Sequence, residues 1–287
     1  MFASEDRAHA HASHRPDLTR VLRDGVTVHT DEELRAKHGI VVAFSERTGG
    51  VSRAPYADLN LAAHVGDDPV AVDANRHRLL ASLGMALRAD RLVTAEQVHG
   101  ERVGVIDEAA AGSGAHVSAA GAQPVPGTDA LITTTSGIPL LMCFADCVPI
   151  VLVALTPVSG IAVVHAGWRG ALASLPGSAV AELANHAGCE PSDVIAYVGP
   201  HIGACCYEVD EALVSHFGNK FDTIGAVRGR LDLAAAVRES LARAGVPSSS
   251  IAELGECTRE HTDRYFSYRA AQQTGRHGAL AAITEGE

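Results

Sequence analysis

The sequence predicts an α+β fold: one domain of mixed β-sheets flanked by helices. Three observations carry that prediction. Short runs of Val, Ile and Leu bounded by Pro or Gly, at 140–155 and 161–164, have the length and composition of buried strands. Two stretches, 68–83 and 232–244, repeat apolar residues at helical spacing behind an aspartate that can cap them. The chain has 287 residues, 47% hydrophobic and 20% charged, which supplies one sizeable core without requiring a second domain.

In chain order, residues 1–24 hold His9, His11 and His14 among Ala, Ser and Arg, and read as a poorly specified leader before a domain over 25–287. The run GIVVAFSERTGG (39–50) is a strand entering a glycine turn, with Arg47 at its end, and 51–61 is an ordered loop. Asp67 or Asp68 caps a helix with Pro69 in its first turn and Val72, Leu79, Leu80 and Leu83 on one side, stopped by Gly84. Residues 91–107 read as two short strands with His99 and Gly100 at their bend. The Ala-, Gly-, Ser- and Pro-rich stretch 109–127 is expected to be a mobile surface loop. Strands resume with Asp129 at the start of one. The turn 156–160 then joins two apolar runs into a hairpin that can bring Cys147 near His165. A helix opens near Trp168, and Pro176-Gly177 should kink or divide it. A strand from 193 leads to a turn holding the vicinal pair Cys205-Cys206, read as structural. A helix capped by Asp232 follows, then a strand over 250–258 ending at Cys257, and an apolar strand at the C-terminal end.

Composition excludes several function classes. Lys plus Arg number 23 against 34 Asp plus Glu, a formal charge of −11, which argues against nucleic acid while leaving room for a local arginine site for a small anion. The longest apolar run is broken by Asp146, Pro149 and Pro157, so no membrane span is expected. The first residues lack the apolar segment of a signal peptide, which predicts a cytoplasmic protein with its six cysteines reduced. Neither a CxxC pair nor a GxxxxGK loop occurs, and no exposed heptad argues against a monomer.

His99, Cys147 and His165 each stand at the end or bend of a predicted strand, where side chains from separate elements can converge. A thiol, an imidazole and the Asp146 carboxylate placed in apolar strands cost several kcal/mol unless partnered. Two imidazoles and a thiolate fit a zinc site with an open fourth position, and either Asp146 or Asp129 can accept from the outer ring nitrogen. The same residues allow a metal-free cysteine hydrolase, with Cys147 as nucleophile and His165 as base. A non-catalytic metal-binding module is a further reading. Either residue alone would be read as a packed thiol or a histidine bonded to backbone.

The blocks QVHG (97–100), ADCVPI (145–150), HAGWRG (165–170) and GPHIGACCYEV (199–209) resemble the YfiH-like family. That family is also called the multicopper polyphenol oxidase (laccase) family and is viewed as purine nucleoside phosphorylases. RTGGVSRAPYADLNL (47–61), HVGDDP (64–69), Cys257-Thr258 and YFSYR (265–269) extend the similarity over about residues 44–276. The leader, the 109–127 loop and Pro176 stand outside the pattern. The resemblance implies His99, Cys147 and His165 as metal ligands and catalytic residues, with zinc in preference to copper. It implies phosphorolysis of adenosine, inosine, guanosine and methylthioadenosine to base and ribose 1-phosphate, with adenosine deaminase as a companion activity. Within that chemistry Arg47 and Arg269 are assigned to phosphate, against the alternative of structural ion pairs, and Cys257 and Phe266 to the base pocket. Copper-dependent phenol oxidation is disfavoured, since a multicopper cluster needs more paired histidines than this core offers.

Overall fold

Most strands are apolar on both faces, and the stacking of the chain explains why. The computed structural model describes residues 14–118, 123–222 and 229–284. Its elements run β1 (Thr19–Arg23), β2 (Val26–Thr30), α1 (Glu32–His38), β3 (Ile40–Ser45), α2 (Pro69–Ser82), β4 (Val93–Thr94), β5 (Val103–Val105), β6 (Ala130–Thr133), β7 (Leu140–Phe144), β8 (Val148–Ala154), β9 (Gly160–Ala166), α3 (Trp168–Ala173), α4 (Leu175–Ala187), β10 (Ile195–Val198), α5 (Glu211–Gly218), α6 (Leu233–Arg243), β11 (Ile251–Glu253) and β12 (His277–Ile283). They form two six-stranded sheets, ordered β1-β2-β3-β12-β7-β4 and β11-β10-β8-β9-β6-β5. Each mixes parallel and antiparallel pairs.

The sheets face one another. Phe44, Met142 and Phe144 of the first meet Val151, Val163 and Tyr197 of the second in one buried cluster. The outer face of the first sheet (Val41, Ala43, Leu280) is covered by Leu79, Leu80 and Leu83 in and just after α2. That of the second (Ile150, Leu152, Val164) is covered by Val180 and Leu183 of α4 and Val237 and Leu241 of α6. Strands covered on both sides need no polar alternation. Each fully buried aliphatic or aromatic side chain contributes about 1.5–3 kcal/mol of transfer free energy.

The expected hairpin forms: β8 and β9 pair antiparallel, with Pro149 opposite His165. Asp68 accepts from Val70 N and Asp232 from Ala235 N, as the capping signals require. Two shorter helices were not read from the sequence; Asp31 caps α1 and Asp210 caps α5 by the same bond. The predicted helix after His165 is two helices, and the break is at Ser174 (φ 66°), which leaves Pro176 harmlessly in the first turn of α4.

Other expectations need correction. Residues 19–23 are strand rather than leader, because the β1 backbone pairs with all of β2. His14 Nε2 lies 2.7 Å from Asp31 Oδ2, while His9 and His11 lie outside the described residues. The strands flanking His99 belong to different sheets, β4 to the first and β5 to the second, so the bend crosses between them. The stretch 109–127 is pinned at both ends: Arg76 Nη1 donates to Gly114 O at 2.7 Å, and Val125 bridges Ala95. Residues 119–122 of that stretch lie outside the described residues. The strand expected over 250–258 ends at Glu253, and Cys257 instead bridges His201. Among the described residues, no helix is long and apolar enough to cross a membrane.

Candidate metal centre

Each of the three expected donors is set by a different local device. Cys147 stands at the entry to β8, and His165 lies near the end of β9, across the hairpin. His99 occupies the crossing between sheets with φ 60°, a left-handed conformation uncommon outside glycine. Asp129, fully buried, holds that turn: its carboxylate accepts from the backbone N–H of Gly100 at 2.7 Å, His99 at 3.0 Å and Val98 at 3.3 Å. The same carboxylate lies 2.8 Å from His165 Nδ1, and the carbonyl of Asp129 accepts from His165 N. Gln97 fixes the approach by exchanging two hydrogen bonds with the Cys143 backbone. Of the two aspartates considered from the sequence, Asp129 is therefore the one that orients a ring. Asp146 turns away, accepting from Thr258 Oγ1 and Arg269 N, both at 2.7 Å.

Ligand atoms of His99, Cys147 and His165 all lie within 4.8 Å of one another, and the two imidazoles meet edge to face with centroids 4.8 Å apart. Asp129 takes Nδ1 of His165, which leaves Nε2 for the cluster. Burial disfavours a thiolate at Cys147, but the His165 and His99 rings outweigh it and bring the thiol down to about 6. Burial likewise opposes charge on His165; the Cys147 sulfur and Asp129 reverse this and raise the ring to about 9. A Cβ on Gly167 would lie 2.8 Å from His99 Cδ2 and 3.4 Å from Cys147 Sγ, so the absence of a side chain there keeps the donors together. Two nitrogens and one thiolate, one ring oriented by a buried carboxylate, suit a borderline metal ion such as zinc.

The cluster opens on a cavity of about 420 Å³ whose wall includes Arg169, Arg269, Arg276, Trp168, Tyr207 and Tyr268. Arg269 stacks over Tyr207 at 4.9 Å and Arg169 over Trp168 at 4.3 Å. Arg276 is partly buried and anchored through Nη1 to the carbonyls of Thr274 and Gly275. Cys143 also reaches the cavity, but burial pushes its thiol up, so it stays neutral.

Of the four residues assigned to substrate, only Arg269 lines this cavity. The Arg47 guanidinium donates to the carbonyls of Ala57 and Thr262 and lies 4.4 Å over the Phe266 ring, which makes it a strut between chain segments. Phe266 is fully buried beneath it. Cys257 is buried in a separate thiol cluster. Sequence reasoning missed His64, Arg169 and Arg276 at the cavity. His64 and Arg169 stand inside the HVGDDP and HAGWRG blocks, so the signal was present; Arg276 lies outside the blocks recognised in the sequence, after YFSYR.

Residues 41–284 match the family described as "Multi-copper polyphenol oxidoreductase laccase". The chain belongs to this family. A relative from Geobacillus stearothermophilus, named purine nucleoside phosphorylase YlmD, is 38% identical over 82% of this chain and 87% of its own length. Another, named adenosine deaminase RL5, from an unknown prokaryotic organism, is 36% identical over 82% of this chain and 91% of its own. The crystal structure of YlmD from G. stearothermophilus superimposes with a TM-score of 0.84 at 34% identity, covering 94% of this chain and all of that one.

Proposed function

We propose that this family member is a zinc-dependent purine nucleoside phosphorylase. It would cleave adenosine, inosine, guanosine and methylthioadenosine to the free base and ribose 1-phosphate or its methylthio analogue, with adenosine deamination as a second activity. The relatives support an enzyme of purine nucleoside metabolism. The observation that carries the finer reading is the union, on one cavity wall, of the His99–Cys147–His165 donors with three guanidinium groups and three aromatic rings. The volume suits a nucleoside with a small anion.

Phosphorolysis needs a phosphate oxygen directed at the ribose C1′ and stabilisation of the base as the C–N bond breaks. Arg169, Arg269 and Arg276 are the side chains suited to hold the dianion, since guanidinium forks match phosphate oxygens. Trp168, Tyr207 and Tyr268 offer faces for a planar base. His99, Cys147 and His165 would hold the metal, and a bound zinc ion supplies Lewis-acid stabilisation of developing charge. Asp129 would hold the His165 proton on Nδ1, so that Nε2 is the nitrogen that gives up its proton to ligate. The reading takes the enzyme as a cytoplasmic monomer.

A second reading rests on a specific observation: Asp129, His165 and Cys147 form a carboxylate–imidazole–thiolate series with the thiol lowered to about 6, the arrangement of a cysteine hydrolase. Zinc requires His99 and a dyad does not. The test is product analysis with protein of known metal content and adenosine, with and without phosphate. Adenine and ribose 1-phosphate formed only with phosphate, and lost in Cys147→Ala, support the phosphorylase. Full metal-free activity in His99→Ala supports the hydrolase. Inosine as sole product leaves a deaminase.

A further inference from the structure

We propose that Cys205, Cys206 and Cys257 form a second metal site, separate from the first, that takes a thiophilic d10 cation such as Zn(II) or Cu(I). The three sulfurs lie within 4.8 Å of one another. Sulfurs bound to one ion at about 2.3 Å stand about 3.8 Å apart in a tetrahedral arrangement, so the cluster needs only a small contraction to close. Cys205 and Cys206 come from the turn after β10 and Cys257 from the loop after β11, and the bridge between His201 and Cys257 holds the two segments together. Gly203 lets them approach: a Cβ there would lie 3.1 Å from Cys205 Sγ and 3.4 Å from Cys257 Cβ.

The chemistry of the three thiols is graded. Cys257 is buried, and burial alone would raise its thiol. Backbone N–H groups of Gly203, Glu260 and Arg259 aim at its sulfur and outweigh burial, so its thiol is lowered. The Gly203 bond measures 3.3 Å. Cys205 is exposed and its thiol is raised, first by desolvation and then by bonding to Cys257. One sulfur thus leans toward thiolate in an amide nest, Cys206 is half-buried beside it and Cys205 is open to solvent, giving an ion both an anionic anchor and a way in. All-thiol donors select soft cations over Mg2+ or Ca2+. None of the three lines the nucleoside-sized cavity, but the site is tied to it. Thr258, next to Cys257, donates to Asp146, next to Cys147, and Tyr207, next to Cys206, lines the cavity wall.

The test uses the full chain, stripped of metal and kept reduced with a phosphine. It is titrated with Cd2+ while thiolate-to-metal charge-transfer absorption is followed; Zn2+ and Cu+ competition then ranks the natural ions. In Cys147→Ser, which disables the first cluster, one equivalent of Cd2+ should still bind through thiolates. That equivalent should be lost on adding Cys205→Ser or Cys257→Ser and kept on adding Cys189→Ser. Cys205→Ser, at an exposed position, serves should Cys257→Ser fail to fold. Parent and Cys147→Ser each binding one equivalent would sink the first metal centre and leave this one standing. Reduced, folded Cys147→Ser that takes up no ion, or an equivalent that survives both Cys205→Ser and Cys257→Ser, overturns the proposal.

Discussion

Asp129→Asn tests the part of the site on which the histidine geometry depends. The carboxylate receives four donors: the N–H groups of Val98 and Gly100 on Oδ2, and that of His99 with the His165 ring on Oδ1. An asparagine offers one oxygen and one NH2. With the oxygen in the Oδ2 position, the NH2 confronts the His99 N–H and His165 Nδ1. The ring must then move its proton to Nε2, where it can no longer ligate. With the oxygen in the Oδ1 position, the NH2 confronts the 2.7 Å donor Gly100 and that of Val98. Either orientation leaves at least one buried backbone donor unpaired, at about 1–3 kcal/mol. Loss of an orienting carboxylate typically costs about 10–100-fold in metal affinity. Zinc competition against a chromophoric chelator should show that loss, and calorimetry of the metal-free protein should show melting lowered by a few degrees. Zinc affinity within about twofold of the parent would refute the claim that Asp129 sets the His165 tautomer.

Gly167→Ala should abolish zinc binding and activity with little change in melting: φ is an ordinary −73°, while the new Cβ enters the donor cluster 2.8 Å from His99. Arg276→Ala should raise the phosphate KM about 10–100-fold, from the roughly 1.5–3 kcal/mol of a charged hydrogen bond, with a smaller change in nucleoside KM. Arg47→Ala should instead lower the melting temperature and leave the phosphate KM unchanged, because its donors end on Ala57 and Thr262. The last concerns pH. Burial, then the Arg276 charge, depress the fully buried His277 from 6.5 to about 3. The unfolded chain takes up this proton first, so the stability contribution is complete above pH 6.5 and declines as pH falls toward 3. Melting followed from pH 6.5 to about 5 separates the histidines from Asp31, Glu46 and Asp129, which are lowered below their ordinary values and titrate later, and His38 and His64, also lowered by burial, add to the same slope. His277→Phe should reduce that slope, and an unchanged slope would assign the loss to His38, His64 or other groups.

The hairpin carrying Cys147 and His165 was legible because its determinants are local: a turn of Thr, Pro, Ser and Gly between two β-branched runs forces the strands to meet in antiparallel register. The caps at Asp68 and Asp232 were legible for the same reason, each being one side chain bonded to an amide two or three residues on. Its place at the bend between two strands put His99 forward as the third member of the cluster, and the family resemblance then implied it as a ligand. Nothing near His99 in sequence announces that its two flanking strands enter different sheets, or that a carboxylate thirty residues away holds the turn. Arg47 and Arg276 show the limit most clearly. Both are arginines beside strand ends, and charge alone recommends both for an anion. Only the packed chain aims Arg47 at carbonyls and puts Arg276 on the cavity wall, because the direction of a long side chain is set by neighbours distant in sequence. The three-thiol cluster has the same origin. Cys205 and Cys257 are brought together by the run of β10 and β11 as parallel neighbours, a pairing that depends on the whole second sheet.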